Sequence, residues 1–134
     1  MKKLLFSTGF ACAVNCLFLA KAATLFTVPV LIVTPPQLDF GTVAEQTTAT
    51  NTFVIENAGG STLVGKATVA SPFKIISGDS YSLRSGEIQI VTITYSPGDA
   101  ESDVQTVGFS GAKPVTAKVT GKRGPPRPKP LHLP

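Results

Sequence analysis

From residue 31 onward, apolar residues recur at every second position in short runs that end at proline, glycine or asparagine. Side chains alternate between the two faces of a strand, so this period belongs to strands packed on one side. In "QLDFG", Leu38 and Phe40 share a face and Asp39 takes the other as a solvated residue. Gly41 then permits a turn or bulge that a side chain would block. "NTFVIENAGG" sets Phe53 and Ile55 against Thr52, Val54 and Glu56, and stops at a strong turn signal, Asn57 to Gly60. "LVGKATVASPFKIIS" reads as two strands around a Ser-Pro break, and "YSLRSGE" as a turn at Ser85-Gly86. "IQIVTITY" puts Ile88, Ile90, Thr92 and Thr94 on one face and Val91, Ile93 and Tyr95 on the other. Apolarity on both faces predicts a central strand whose outer face is partly covered. With "VQTVGFSG" and "KPVTAKVTG" there are about seven strands, spaced roughly 8–12 residues apart, which is the pattern of an antiparallel β-sandwich. The expected core centres on Phe40, Phe53, Ile55, Phe73, Ile75 and the "IQIVTITY" strand.

The chain has 134 residues, enough for one domain, and its 43% apolar content against 15% charged residues excludes general disorder. The formal net charge of +4 is unevenly distributed. Residues 1–22 hold three cations, residues 23–121 five cations and all eight acids, and residues 122–134 four cations. The body is therefore mildly acidic, and a nucleic-acid footprint on the folded domain is not supported.

The N-terminus reads as an export signal. Lys2 and Lys3 precede an apolar run from Leu4 to Ala20, and Ala20-Lys21-Ala22 supplies small residues for cleavage before Ala23. The run is also close to the shortest membrane-spanning helix, so an uncleaved signal anchor is the alternative. Either way the two lysines stay cytoplasmic and the remainder is exported. Both cysteines, Cys12 and Cys16, lie in this run, so a cleaved chain has no disulfide framework and no cysteine metal site. The expected organisation is a signal peptide or anchor helix over 1–22, an apolar linker and first strand over 23–34, a sandwich over 35–121 and a basic proline-rich tail over 122–134.

"PPQLDFGTVAEQTTATNTFVIENAGGSTL" resembles the start of the ASPM/SPD-2/Hydin (ASH) immunoglobulin-like domains. The matching positions are Leu38, Phe40, Gly41, Val43, Asn57, Gly59 and Leu63. "SPFKI", "SLRSGEIQIVTITYSP", "VGFSG" and "AKVTGK" resemble later blocks of the same family, as found in bacterial exported proteins. In one departure, Gln46 stands where the family usually has glycine. The resemblance implies an Ig-like sandwich of the major sperm protein and PapD type, with protein binding or targeting as its work, no catalysis and no cofactor. Many eukaryotic members are ciliary or centrosomal; the export signal points instead to a periplasmic, cell-envelope or secreted bacterial protein.

Few residues invite chemistry. The one histidine, His132, sits in the proline-rich tail, where no rigid scaffold would hold its imidazole for catalysis. Asp99, Glu101 and Asp103 alternate as in the first half of a calcium loop. That loop would need glycine at its sixth position and glutamate at its twelfth; Val104 and Ser110 stand there, so a solvated loop is the default. In the tail, Lys122, Arg123, Arg127 and Lys129 lie among five prolines, a composition that favours extended polyproline over helix or ladder. The tail reads as mobile and solvated. Its functional alternative is docking onto an acidic partner, anionic lipid heads or anionic cell-wall polymers.

Two functions from different classes follow. One is a non-catalytic protein-binding or structural module of the bacterial cell envelope, pairing a partner strand at a sheet edge, with "LIVT" and "VTAKVTG" as the candidate edges. Lys113 and Lys118 would guard the second. The other is a membrane-anchored accessory subunit of a larger membrane complex that keeps its N-terminal helix.

Overall fold

Proline has no N–H to donate, so Pro35-Pro36 cannot continue a ladder. The chain changes sheets at this dipeptide. β1 (Leu31–Thr34) lies in a four-stranded sheet with β3 (Ala49–Asn57), β7 (Ile88–Tyr95) and β5 (Phe73–Ser77), in the order β1-β3-β7-β5. β2 (Gln37–Glu45) lies in a five-stranded sheet with β9 (Val115–Pro126), β8 (Ser102–Phe109), β4 (Leu63–Thr68) and β6 (Ser80–Leu83), in the order β2-β9-β8-β4-β6. This computed structural model describes residues 28–126 and 128–131. The signal or anchor helix expected over residues 1–22, Arg127 and His132 fall outside them.

The all-β, Ig-like sandwich expected from the alternation is therefore the fold, with nine strands rather than about seven. β6 is one that sequence reading absorbed into a turn, because four residues are too few to display a period. The chain crosses between the sheets at every connection except β8–β9, and β6 follows the crossing from β5. Every pairing is antiparallel except β2 with β9, which is parallel. The bulge expected at Gly41 is present. Its φ is +66°, the β2–β9 register shifts between Asp39 and Thr42, and the Gly41 N–H donates to Asp39 Oδ1 at 2.9 Å.

The core lies between the sheets. Phe53, Ile55, Val91, Ile93, Tyr95, Val107 and Val119 are fully buried, and Phe53 meets Phe109 edge-on at 5.6 Å. Tyr95 stacks on Phe73 at 4.8 Å, with Phe40 tilted against both. Phe40 and Ile75, expected in the core, are half-buried and pack on its margin. On β9, a Cβ at Gly121 would collide with the Tyr95 ring, so bare backbone is what lets β9 close over it.

Three expectations are corrected. "VTAKVTG" is no edge: β9 is flanked by β2 and β8, and Lys118 is in register with Gln37 and Thr106. The crossing at Pro35-Pro36 supplies the reason, since it carries the chain into the other sheet and adds β2 outside β9. Next, the tail does not begin at residue 122. β9 runs to Pro126, pairing Lys122 with Thr42, Arg123 with Val43 and Pro126 with Glu45. The β8 partner stops at the Ser102–Lys122 pair, so Pro125 and Pro126 face a neighbour on one side only, where a missing donor is tolerated. Finally, the outer face of β7 is uncovered among the described residues, with Ile88 61% and Ile90 56% exposed.

Candidate functional site

Registration brings the outward residues of the four-stranded sheet into rows. Ile32, Glu56 and Ile88 form one row across β1, β3 and β7, and Thr34, Val54 and Ile90 the next. Beyond them Thr52 pairs with Thr92, and Thr50 with Thr94, which is in turn opposite Lys74 of β5. The edge continues upstream of β1. Ala58 N–H donates to Val30 O at 2.8 Å and Gly60 N–H to Val28 O at 3.1 Å, so Val28 and Val30 prolong the row of Ile32. Ile76 projects outward from β5. Of the ten large apolar side chains exposed among the described residues, seven are on this face, so the exposure is segregated. Contiguous apolar surface of this kind marks contact sites.

Asn57 holds the β1 end of the face in place. It is fully buried, and all its amide capacity is used. Its Oδ1 accepts from Val30 N–H at 3.2 Å and Gly59 N–H at 3.0 Å; its Nδ2 donates to Ser61 O at 2.7 Å and Leu83 O at 2.9 Å. The residue that announced a turn in the sequence thus ties together β1, the turn and β6.

The acidic cluster is dispersed. Asp99 sits in the loop after β7, while Asp103, on β8, accepts the Tyr95 hydroxyl at 2.8 Å. Glu101 uses its backbone carbonyl to accept from Arg123 N–H at 2.9 Å. Among the described residues, no three His, Cys, Asp or Glu side chains converge where a metal ion could be held. Burial, then the Asp103 hydrogen bond and charge, push the Tyr95 phenol up to about 12 against an opposite pull from Arg123. Burial also raises Tyr81, whose hydroxyl donates to Ser110 O.

The tail cations separate too. Arg123 is drawn into the domain, 3.6 Å from Glu45. Lys122 is exposed on the outer face of β9, and Lys129 is exposed between Pro128 and Pro130, beside Gln46. Of the expected edges, "LIVT" is one, as β1. The apolar face is what sequence reading missed as a site. Its signal was present in the second apolar side of "IQIVTITY", but nothing in the alternation says whether another layer covers it.

The family model for the HYDIN/CFA65/VesB-like Ig-like domain matches residues 29–122. No curated protein matches the sequence. Among solved structures, the human CEP192 ASH/PapD-like domain 7 is similar at 17% identity and TM-score 0.58, covering 72% of this chain and 87% of that one. The CsuC–CsuE chaperone–tip adhesion subunit pre-assembly complex of Acinetobacter baumannii contains a chain similar at 10% identity and TM-score 0.54, covering 70% and 57%. Vibrio cholerae VesB protease is similar at 16% identity and TM-score 0.53, covering 69% of this chain but 31% of that one. These likenesses are likenesses of fold.

Proposed function

Because this chain belongs to the HYDIN/CFA65/VesB-like family of Ig-like domains, we propose that it is a non-catalytic protein-binding or structural module, exported to a bacterial cell envelope. The observation that carries this reading is the segregated apolar face of the β1-β3-β7-β5 sheet. A flat face of isoleucine, valine and threonine gains free energy by area burial against another protein surface. The chaperone–subunit complex named above supports the reading by showing a similar fold in a protein complex. Export rests on the basic and apolar N-terminal sequence. Lys122, on the outer face of the other sheet, and Lys129, beside Gln46, are exposed to anionic lipid or wall polymer.

The test is a photo-crosslinking residue at position 90 in cells that make the protein. A discrete protein adduct, absent with the same residue at position 106 on the opposite face and lost on Ile88→Asp, is the expected result. Equal, diffuse labelling from both positions would overturn it.

A second reading, the membrane-anchored accessory subunit, draws on the fact that the exposed row begins at Val28 and Val30, next to the apolar N-terminal sequence. A retained helix would bring the face close to the bilayer. An intact mass starting at Met1 supports it, and one starting at Ala23 excludes it.

A further inference from the structure

Resting on the binding role proposed above, we infer that the occupant of the β1-β3-β7-β5 face is the same face of a second copy of this chain, in an isologous dimer. Three properties of the face select this partner.

Its chemistry comes first. The outward residues of β1, β3 and β7 are Ile, Val and Thr with a single Glu. Surfaces that sit in a membrane interface use tryptophan, tyrosine or phenylalanine with lysine and arginine around them. This face has no outward aromatic residue. β-branched side chains on a pleated surface instead suit a second sheet laid face to face, about 10 Å away.

Charge decides next. Glu56 and Lys74 are the charged residues among the outward strand positions of this sheet, so the face is neutral and meets its own copy without net repulsion. The outer face of the other sheet carries Lys66, Lys118 and Lys122 against Asp39. Two such faces would repel each other. An isologous contact presents the same patch to itself, so only the neutral face qualifies.

Area sets the extent and strength. Strands of 4, 9, 8 and 5 residues, at about 3.4 Å per residue and about 4.8 Å apart, give a plan area of roughly 400 Å² per copy, to which side-chain relief and the Val28–Val30 extension add. Stable interfaces bury roughly 600–1,000 Å² per partner. The whole face comes closer to that range than its apolar half alone. The contact therefore includes the Thr50, Thr52, Thr92 and Thr94 quartet, and the dimer is reversible rather than obligate.

The experiment is sedimentation equilibrium of the chain in its exported form across a wide concentration range. The wild type should pass from one to two copies. Ile90→Asp and, separately, Val54→Lys should each weaken the dimer by at least tenfold, with circular dichroism and melting temperature retained. Thr106→Asp on the opposite face should leave it unchanged. Two variants guard against one that fails to fold. A wild type that stays monomeric throughout, or a dimer indifferent to both substitutions, overturns the inference. If that monomer still gives a discrete crosslink to another protein from position 90, the dimer is wrong and the binding role stands. If the monomer instead floats with phosphatidylglycerol vesicles and Ile90→Asp does not, the occupant is a lipid surface and the dimer is again wrong.

Discussion

Gln46 adopts φ +61°, the left-handed region that glycine occupies freely and other residues enter at a cost of about 1 kcal/mol. The departure from the family's glycine is thus a local strain. Gln46→Gly should raise stability by roughly 0.5–1 kcal/mol, offset in part by the freer unfolded chain, as read from urea denaturation. Phe53 is fully buried against Phe109, and Phe53→Ala should cost roughly 3–5 kcal/mol; a loss below about 1 kcal/mol would contradict that burial. The Tyr95 phenol keeps its proton to about pH 12 in the fold but only to about pH 10 when unfolded. Between those values the folded state binds more protons, so stability falls as pH rises, whereas below pH 10 the contribution is complete. Tyr95→Phe should flatten that decline relative to wild type, with Tyr81 as the shared background.

At the scale of the element, β9 is the strand that reading from sequence placed least well. Its alternation was legible through Gly121, but Pro125 and Pro126 argued for a free tail from residue 122. Residues 122–126 instead extend the pairing with β2, and Arg123 meets Glu45. Truncation after residue 121 should therefore lower the melting temperature by several degrees, the scale of about 1 kcal/mol in a domain of this size. Truncation after residue 126 should leave it nearly unchanged. Equal melting temperatures for the two would show that the end of β9 adds nothing. The same contrast identifies which cations remain for a partner: Lys122 is exposed and Arg123 is engaged at home.

The whole molecule has two unlike outer faces, one apolar and neutral, the other bearing Lys66, Lys118 and Lys122. Both sheets end in strands that are short or interrupted: β1, β5 and β6 have four or five residues each, and register shifts break β2. Long unbroken edges invite indiscriminate pairing, and this arrangement removes them. Under the binding role proposed above, recognition falls to a face more readily than to an edge. The apolar face contributes little to the folded monomer, since its side chains are already in water. Replacing Ile88 and Ile90 together by threonine should change stability by less than about 0.5 kcal/mol at concentrations where the chain is monomeric. A larger loss in urea denaturation would mean that a further part of the chain covers them.

The period-two pattern alone determined the strand class, and with it the inward placement of Leu38, Phe53, Ile55, Val91, Ile93 and Tyr95. Those assignments depend only on a side chain's parity along its own strand, which is a local property. The Gly41 bulge and the Asn57 turn were likewise legible, because backbone conformation there is set by one or two residues. Which strand lies beside which was decided by the tertiary structure. Neighbour order depends on where the chain crosses between layers, and parity carries no record of it. That is why "VTAKVTG" could be taken for an edge when it is flanked on both sides. It is also why the second apolar side of "IQIVTITY" could be taken for a covered face. Exposure depends on the presence of another layer, and only the packed sandwich shows that, among the described residues, Ile88 and Ile90 have none above them.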